Sequence, residues 1–283
     1  VHGHTSARIG LQIGHSGRKG STKLMWEGDT EPLDDGNWEI VAPSPVRYRP
    51  DSQVPRQATR EDMDLIRDQH VAAAIRGHRA GFDLLELHFA HGYFVSSFLT
   101  PLANVRTDEY GGSLPNRMRY PLEVFSAVRE AWPPEKPISI RISATDWVPG
   151  GFEGDDAVAL AVELERLGCD IIDVSTGQTT AEATPDYGRL YQTPFSDRIR
   201  REAGIPTMTV GAVSSIDDVH NILVSGRADL CVLARPHLVD PYWTLNAAID
   251  LGYADFDFPV QYLSGLNARR RHQESVPPDV FRG

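Results

Sequence analysis

Cysteine is almost missing from this sequence. The 283 residues hold two, Cys169 and Cys231. They lie far apart in apolar contexts, so neither a disulfide scaffold nor a four-cysteine metal or iron–sulfur site can be built from them. Long apolar runs are missing too. None approaches the roughly 18 residues that mark a membrane-spanning helix. Positive charge is in deficit, with 28 Lys and Arg against 39 Asp and Glu and a net charge of -11. General nucleic-acid binders present a basic field instead, so neither nucleic acid nor membrane is expected as a partner. No repeat recurs at fixed spacing and no targeting signal is seen at the start, so a cytoplasmic location is the expectation.

What is present reads as strands alternating with helices. The strands are expected at 7–14 (ARIGLQIG), 82–88 (FDLLELH), 137–143 (PISIRIS), 169–175 (CDIIDVS), 205–211 (IPTMTVG) and 228–234 (ADLCVLA). Thr59 and Asp62 form a capping-box pair that opens a helix running to about Ala80. Leu122, Phe125, Val128 and Trp132 recur at helical spacing. So do Ala157, Leu160, Ala161, Leu164 and Leu167 before Gly168, and Ile216, Val219, Ile222 and Leu223 before Gly226. Such alternation implies parallel pairing through right-handed crossovers.

The strands are also asymmetric. Ile138, Ile140 and Ile142 share one face, and Ser139, Arg141 and Ser143 the other. Leu85 and Leu87 oppose Glu86 and His88. Ile9, Leu11 and Ile13 oppose Gly10, Gln12 and Gly14, and Ile172 and Val174 oppose Asp173 and Ser175. A doubly wound sheet is apolar on both faces. A polar second face favours a barrel with a polar upper interior, with an open sheet as the rival.

The most informative stretch is ELHFAHGYFVSSFLTP, 86–101. An apolar strand that ends in Glu86, His88 and His91, then Gly92 and Tyr93, must satisfy each polar group or use it. The C-terminal ends of parallel barrel strands are where ligand sites form. His88 and His91 could ligate a metal or be satisfied interior histidines, but no third ligand stands at metal-site spacing. Arg141 needs a partner whether it meets a ligand or an interior carboxylate, Glu86 or Asp173. Tyr93 is either a proton donor or a packing ring. Residues 21–57 lack helical periodicity and read as a loop or hairpin insertion. Its Trp26, Trp38 and Tyr48 form either a small core of their own or a substrate wall.

Several segments together resemble the Old Yellow Enzyme family: LQIGHSGRKG, ELHFAHGYFVSSFLTPLANVRTDEYGGSLPNRMRYPLEV, ISIRIS, VGAV and LARPHLVDPYW. The likeness runs from about Arg8 to Tyr253. Within the family, GRKGSTKLMWEG, GNWEIVAPSP and SQVPRQATREDMD resemble the oxidoreductase domain of salicylyl-CoA 5-hydroxylase and 2-aminobenzoyl-CoA monooxygenase/reductase. The resemblance implies an α/β fold, a (β/α)8 TIM barrel whose first two strands are lacking in this chain. It places a partial flavin-binding barrel at 1–260 and a C-terminal tail at 261–283. It implies FMN as cofactor and NADH or NADPH as hydride donor, with FAD only in a monooxygenase domain upstream.

Residue by residue, the resemblance places Gln12 at the flavin's pyrimidine edge and Arg141 near N1 and O2. Gly211, Ala234 and Arg235 fall at the phosphate, with Ala234 standing where the family usually has glycine. His88 and His91 are placed on the substrate's activating oxygen, and Tyr93 as proton donor. His15, Arg18 and Lys19 fall near the rim. Lys19 attracts an anionic group or is a solvated surface lysine, and Arg189 and Arg198 hold cofactor or loop structure. The implied substrate is a small molecule with an activated alkene or dearomatised ring, and the closer resemblance implies an aromatic CoA thioester. A fused N-terminal monooxygenase domain and a homo-oligomer are the partners it suggests. Two alternatives stand beside this reading: a free-standing enoate reductase, and a non-catalytic barrel remnant within a multidomain hydroxylase.

Overall fold

Alternation sets the strands, and six of them form one all-parallel sheet in sequential order. They are β1 (Gly10–Ile13), β2 (Leu84–Phe89), β3 (Ile138–Ser143), β4 (Ile171–Ser175), β5 (Thr207–Thr209) and β6 (Leu230–Cys231). The structure is a computed structural model that describes residues 1–253, 255–256 and 258–275. The crossovers carry α1 (Arg60–Arg79), α2 (Phe94–Leu99), α3 (Leu114–Ala131), α4 (Gly154–Arg166), α5 (Thr193–Ala203) and α6 (Ile216–Val224). This is the strand–helix alternation of a (β/α)8 barrel. Among the described residues the sheet is open, with β1 and β6 as its edges.

The chain divides into two compact units. Arg8–Val232 holds the sheet, and the other consists of Val1–Ala7 with the chain from Leu233 onward. The latter contains α7 (Arg235–Val239), α8 (Trp243–Asp250) and α9 (Leu263–Ser275). Of the expected tail at 261–283, the part beyond residue 275 lies outside the described residues.

The apolar strand faces are buried against the helices. Leu85, Leu87, Phe89, Ile138, Ile140, Ile142, Ile172 and Val174 have no exposed surface. Helix α1 turns Met63, Ile66, His70, Ala74 and Gly77 inward, a stripe at helical spacing. Its start has the expected capping box between Thr59 and Asp62. Ser113 occupies the N-cap of α3, but its side chain makes no capping bond.

Helix α2 is buried all round, from Phe94 to Leu99, so it has no polar face to reveal a period. Helix α5 turns Phe195, Ile199 and Ala203 to the core at four-residue spacing, a short apolar stripe in an otherwise charged segment. In the insertion, Val41–Ala42 pairs in parallel with Arg56–Gln57, and Thr22 bridges Pro32 antiparallel. Trp26 and Trp38 are 78% and 56% exposed, so neither builds a core there.

Beneath the loop that follows β2 lies an aromatic cluster. Phe98 sits 5.5 Å from Phe94 and 4.5 Å from Tyr120, centroid to centroid, and all three are fully buried. Tyr120 Oη donates to the Met63 carbonyl at 2.9 Å. Phe98→Ala should therefore cost about 3–5 kcal/mol, read as a lower urea midpoint with unchanged slope. A loss under about 1 kcal/mol would contradict this role for the ring.

Candidate active site

Register brings the polar strand residues together. Gln12 pairs with Glu86, and Glu86 with Ser139. Gln12 Nε2 donates to Glu86 Oε1 at 2.6 Å, and Ser139 Oγ to Glu86 Oε2 at 2.8 Å. The next inward row pairs His88 with Arg141, Arg141 with Asp173 and Asp173 with Met208. Arg141 Nε and Nη2 donate to Ser175 Oγ at 3.0 and 2.9 Å, and Nε lies 3.4 Å from Asp173 Oδ2. The interior carboxylate partner of Arg141 is thus Asp173. A carboxylate only accepts, so Glu86 turns the amino group of Gln12 toward itself and leaves the Gln12 carbonyl free to face elsewhere.

The strand ends in a strained loop. His91 has φ +61 and Gly92 φ +69. A side chain at Gly92 would come within 2.9 Å of the Thr179 backbone, so only glycine fits. The His91 amide donates to Ser143 Oγ at 2.9 Å, and Ser143 Oγ donates to the Gly177 carbonyl at 3.0 Å. These ties aim His91 Nδ1 at His88 Nε2, 3.1 Å away. The Tyr93 ring lies 5.1 Å from that of His88.

Arg18 and Lys19 fasten the loops around these rings. Arg18 is 3% exposed and donates to the carbonyls of Val46, Arg47 and Thr179. Lys19 Nζ donates to the carbonyls of His91 and Gln178, each at 3.1 Å. It also lies 4.3 Å from the Tyr48 ring and 5.5 Å from that of Tyr93. Lys19 is therefore a bound loop fastener rather than a solvated lysine, and Tyr48 joins the site wall. Arg18, expected near the rim, lies 5.8 Å from the ring of Tyr48, itself expected in a small core or a substrate wall.

Burial sets the electrostatics. It holds His88 down to about 4, helped by the charges of Arg141 and Lys19. Burial also lowers His91, with His88, Arg141 and Lys19 adding to the effect. Lys19 falls to about 8 through burial, opposed by Asp29 and assisted by Arg18. Asp173 moves upward because burial and Glu86 outweigh Arg141. Both histidines are thus neutral near pH 7, each with one N–H to donate. Among the described residues no group of three His, Cys, Asp or Glu side chains is placed to hold a metal ion.

The remaining expected positions are more dispersed. Gly211, with φ +104, follows β5, and a side chain there would strike the Gln192 amide. Ala234 and Arg235 begin α7 in the other unit. Arg189 pairs with Asp218, and Arg198 with Asp155 and Glu202. His15 Nδ1 accepts from the Gly17 amide at 3.0 Å, which gives it a local loop role.

The donor set suits a flavin. Gln12 offers an amide carbonyl and Arg141 a cation on the same inward face, and His88 Nδ1 and Asp173 Oδ1 are buried with no protein partner. Such a donor set at the ends of parallel strands is compatible with a flavin-dependent oxidoreductase. The chain belongs to the NADH:flavin oxidoreductase / NADH oxidase family, which it matches over residues 1–252; FMN and NAD(P)H are that family's cofactors. It is 40% identical over 259 residues to an NADPH dehydrogenase of Geobacillus thermodenitrificans, covering 92% of this chain and 71% of the relative. An NADPH dehydrogenase of Clostridium acetobutylicum is 39% identical over 261 residues, covering 92% and 73%. Among solved structures, a 2-naphthoyl-CoA reductase in complex with 2-naphthoyl-CoA superposes with TM-score 0.74 at 25% identity. The match covers 87% of this chain but only 38% of that one. Morphinone reductase in complex with tetrahydroNAD gives TM-score 0.68 at 27% identity, covering 91% and 69%.

A histidine held below its ordinary value favours the folded state in neutral form. Its contribution is complete above about pH 6.5 and declines as pH falls toward about 4. Imidazole resonances assigned to His88 should titrate well below pH 6. A midpoint at or above about 6.5, the ordinary value, would contradict this environment.

Proposed function

We propose that the polar ends of β1 to β4 hold FMN and that the substrate is an electron-poor alkene conjugated to a carbonyl. The observation that supports this most is the convergence of His88 Nε2 and His91 Nδ1, 3.1 Å apart, beside the Arg141 row. FMN, when bound, supplies hydride exchange between NAD(P)H and the alkene. Gln12 would hold the pyrimidine edge, and Arg141 would face N1 and O2, where negative charge collects on reduction. The amide of Gly211 would take the phosphate. Asp218 already accepts from the amides of Ser214 and Ser215 at 3.0 Å each, so those two amides are engaged within the loop. Ala234 and Arg235 are assigned to the phosphate by family resemblance alone.

In this reading His88 and His91 donate to the substrate's carbonyl oxygen and stabilise charge that develops there. Tyr93 protonates the α-carbon. One pocket takes nicotinamide and substrate in turn, so no separate dinucleotide fold is required. For the substrate class we favour an aromatic or partly dearomatised CoA thioester, with a monooxygenase domain fused upstream and a cytoplasmic location. The likeness to a 2-naphthoyl-CoA reductase supports the CoA-linked class. The NADPH dehydrogenases, matched over 71% and 73% of their length in the two cases above, favour a second reading as a free-standing enoate reductase.

Two substitutions test the roles. His88→Ala should leave FMN bound but weaken a phenolic ligand by at least tenfold, about 1.4 kcal/mol, in a spectral titration; unchanged affinity would remove the assigned role. Tyr93→Phe keeps the ring and removes the acid. Reduction by NAD(P)H should be spared, while turnover of a weakly activated alkene falls roughly 100- to 10,000-fold. Equal oxidative rates in both proteins would rule Tyr93 out as the acid.

A further inference from the structure

We infer that Asp173 is a positioning residue for Arg141, holding the guanidinium by one edge and setting how much of its charge reaches a ligand on the other. This rests on the flavin reading of the site. Asp173 is 2% exposed and stands beside Arg141 in the parallel register. Its Oδ2 lies 3.4 Å from Arg141 Nε, while Ser175 Oγ, on the same strand, takes Nε and Nη2 at 3.0 and 2.9 Å. Strand β4 thus grips the Nε–Nη2 edge, and the Nη1 end is directed away from that grip.

The pairing is not what stability alone selects. A buried arginine and carboxylate that form a two-pronged bridge satisfy each other's polar atoms. Here the approach is single and long, and Asp173 Oδ1 is buried with no partner at all. An unsatisfied buried acceptor is unfavourable, so the carboxylate needs a reason beyond packing. Its negative charge offsets the guanidinium without capping it. That arrangement leaves Arg141 oriented and its field partly cancelled, which would set the bound flavin's reduction potential. The charged and titratable groups facing Asp173 are Arg141 on β3 and Glu86 on β2, with His88 beyond Arg141 in the same row; its neighbour on β5, Met208, is neutral. Burial and Glu86 move the carboxyl upward.

The experiment measures the midpoint potential of the bound flavin in the holoprotein, with FMN affinity, across pH. Asp173→Asn keeps the side chain's shape beside Nε and removes the charge. Its potential should rise at neutral pH, with reduced FMN favoured over oxidised by about tenfold more than in wild type, or about 30 mV for a two-electron couple. The gap should widen as pH rises, where the wild-type carboxyl is ionised, and close at low pH, where it is not. Asp173→Ala also removes the side chain that stands against Nε and leaves Ser175 as the sole β4 contact of the guanidinium, so Arg141 is held less firmly and the potential should fall below that of the Asn form. In an Arg141→Met background the Asn and Ala forms should become alike, since no guanidinium remains to be held.

A potential equal to wild type at every pH in Asp173→Asn, with full FMN occupancy, would overturn the inference. So would Asn and Ala forms that match each other while Arg141 is present. If Asp173→Ala does not fold, the pH dependence of the wild-type and Asn forms decides alone. The underlying reading fails separately: Arg141→Met would then leave both potential and FMN affinity unchanged.

Discussion

Parallel pairing in fixed register is the constraint on which the site depends. A slip of one residue in any of β1 to β4 would turn its polar set toward the helices and its apolar set inward. Ile138, Ile140 and Ile142, fully buried on the helix side, hold β3 in place and thereby hold Arg141 opposite His88 and Asp173. The site inherits its geometry from that packing. The loop after β2 adds what the strand cannot. Its left-handed turn at His91 and Gly92 brings a second imidazole back over the first.

The charged interior is unfavourable by itself, and the hydrogen-bond pattern offsets this only in part. Glu86 is satisfied from both neighbouring strands, by Gln12 and Ser139. Arg18 and Lys19 direct their donors to backbone carbonyls of the surrounding loops. His88 Nδ1, Asp173 Oδ1, Arg18 Nε and Thr179 Oγ1 are buried without partners, as are Trp147 Nε1 and, on α1, His70 Nε2. Such atoms often mark places where a protein gives up stability for function. The first four border the inward rows and the loops pinned above them.

Much of this is legible in the sequence, for a definite reason. Strands with one apolar and one polar face announce both their period and the site, as Leu85, Glu86, Leu87 and His88 do. All six parallel strands lie within the stretches expected, except that β2 extends one residue further, to Phe89. Helix α1 is visible through its capping box. Helix α2 is not, because it is buried on every side, and α5 offers only Phe195, Ile199 and Ala203 as an apolar stripe in a charged segment. Individual letters do not show that Lys19 bridges His91 to Gln178, or that Asp173 and not Glu86 faces Arg141. Those facts depend on which strands are neighbours and on how the loops close above them. The exposed Trp26 and Trp38 show the opposite limit, since large aromatic residues in an insertion do not by themselves imply a core.

The most direct test is a structure of the protein with FMN and a phenolic ligand bound. Gln12 and Arg141 should lie at about 3 Å from the pyrimidine edge of the ring, with His88 Nε2 and His91 Nδ1 both on the ligand's oxygen. A ring whose pyrimidine edge lies away from Gln12 and Arg141, with the two histidines bonded only to each other, would contradict the proposed site.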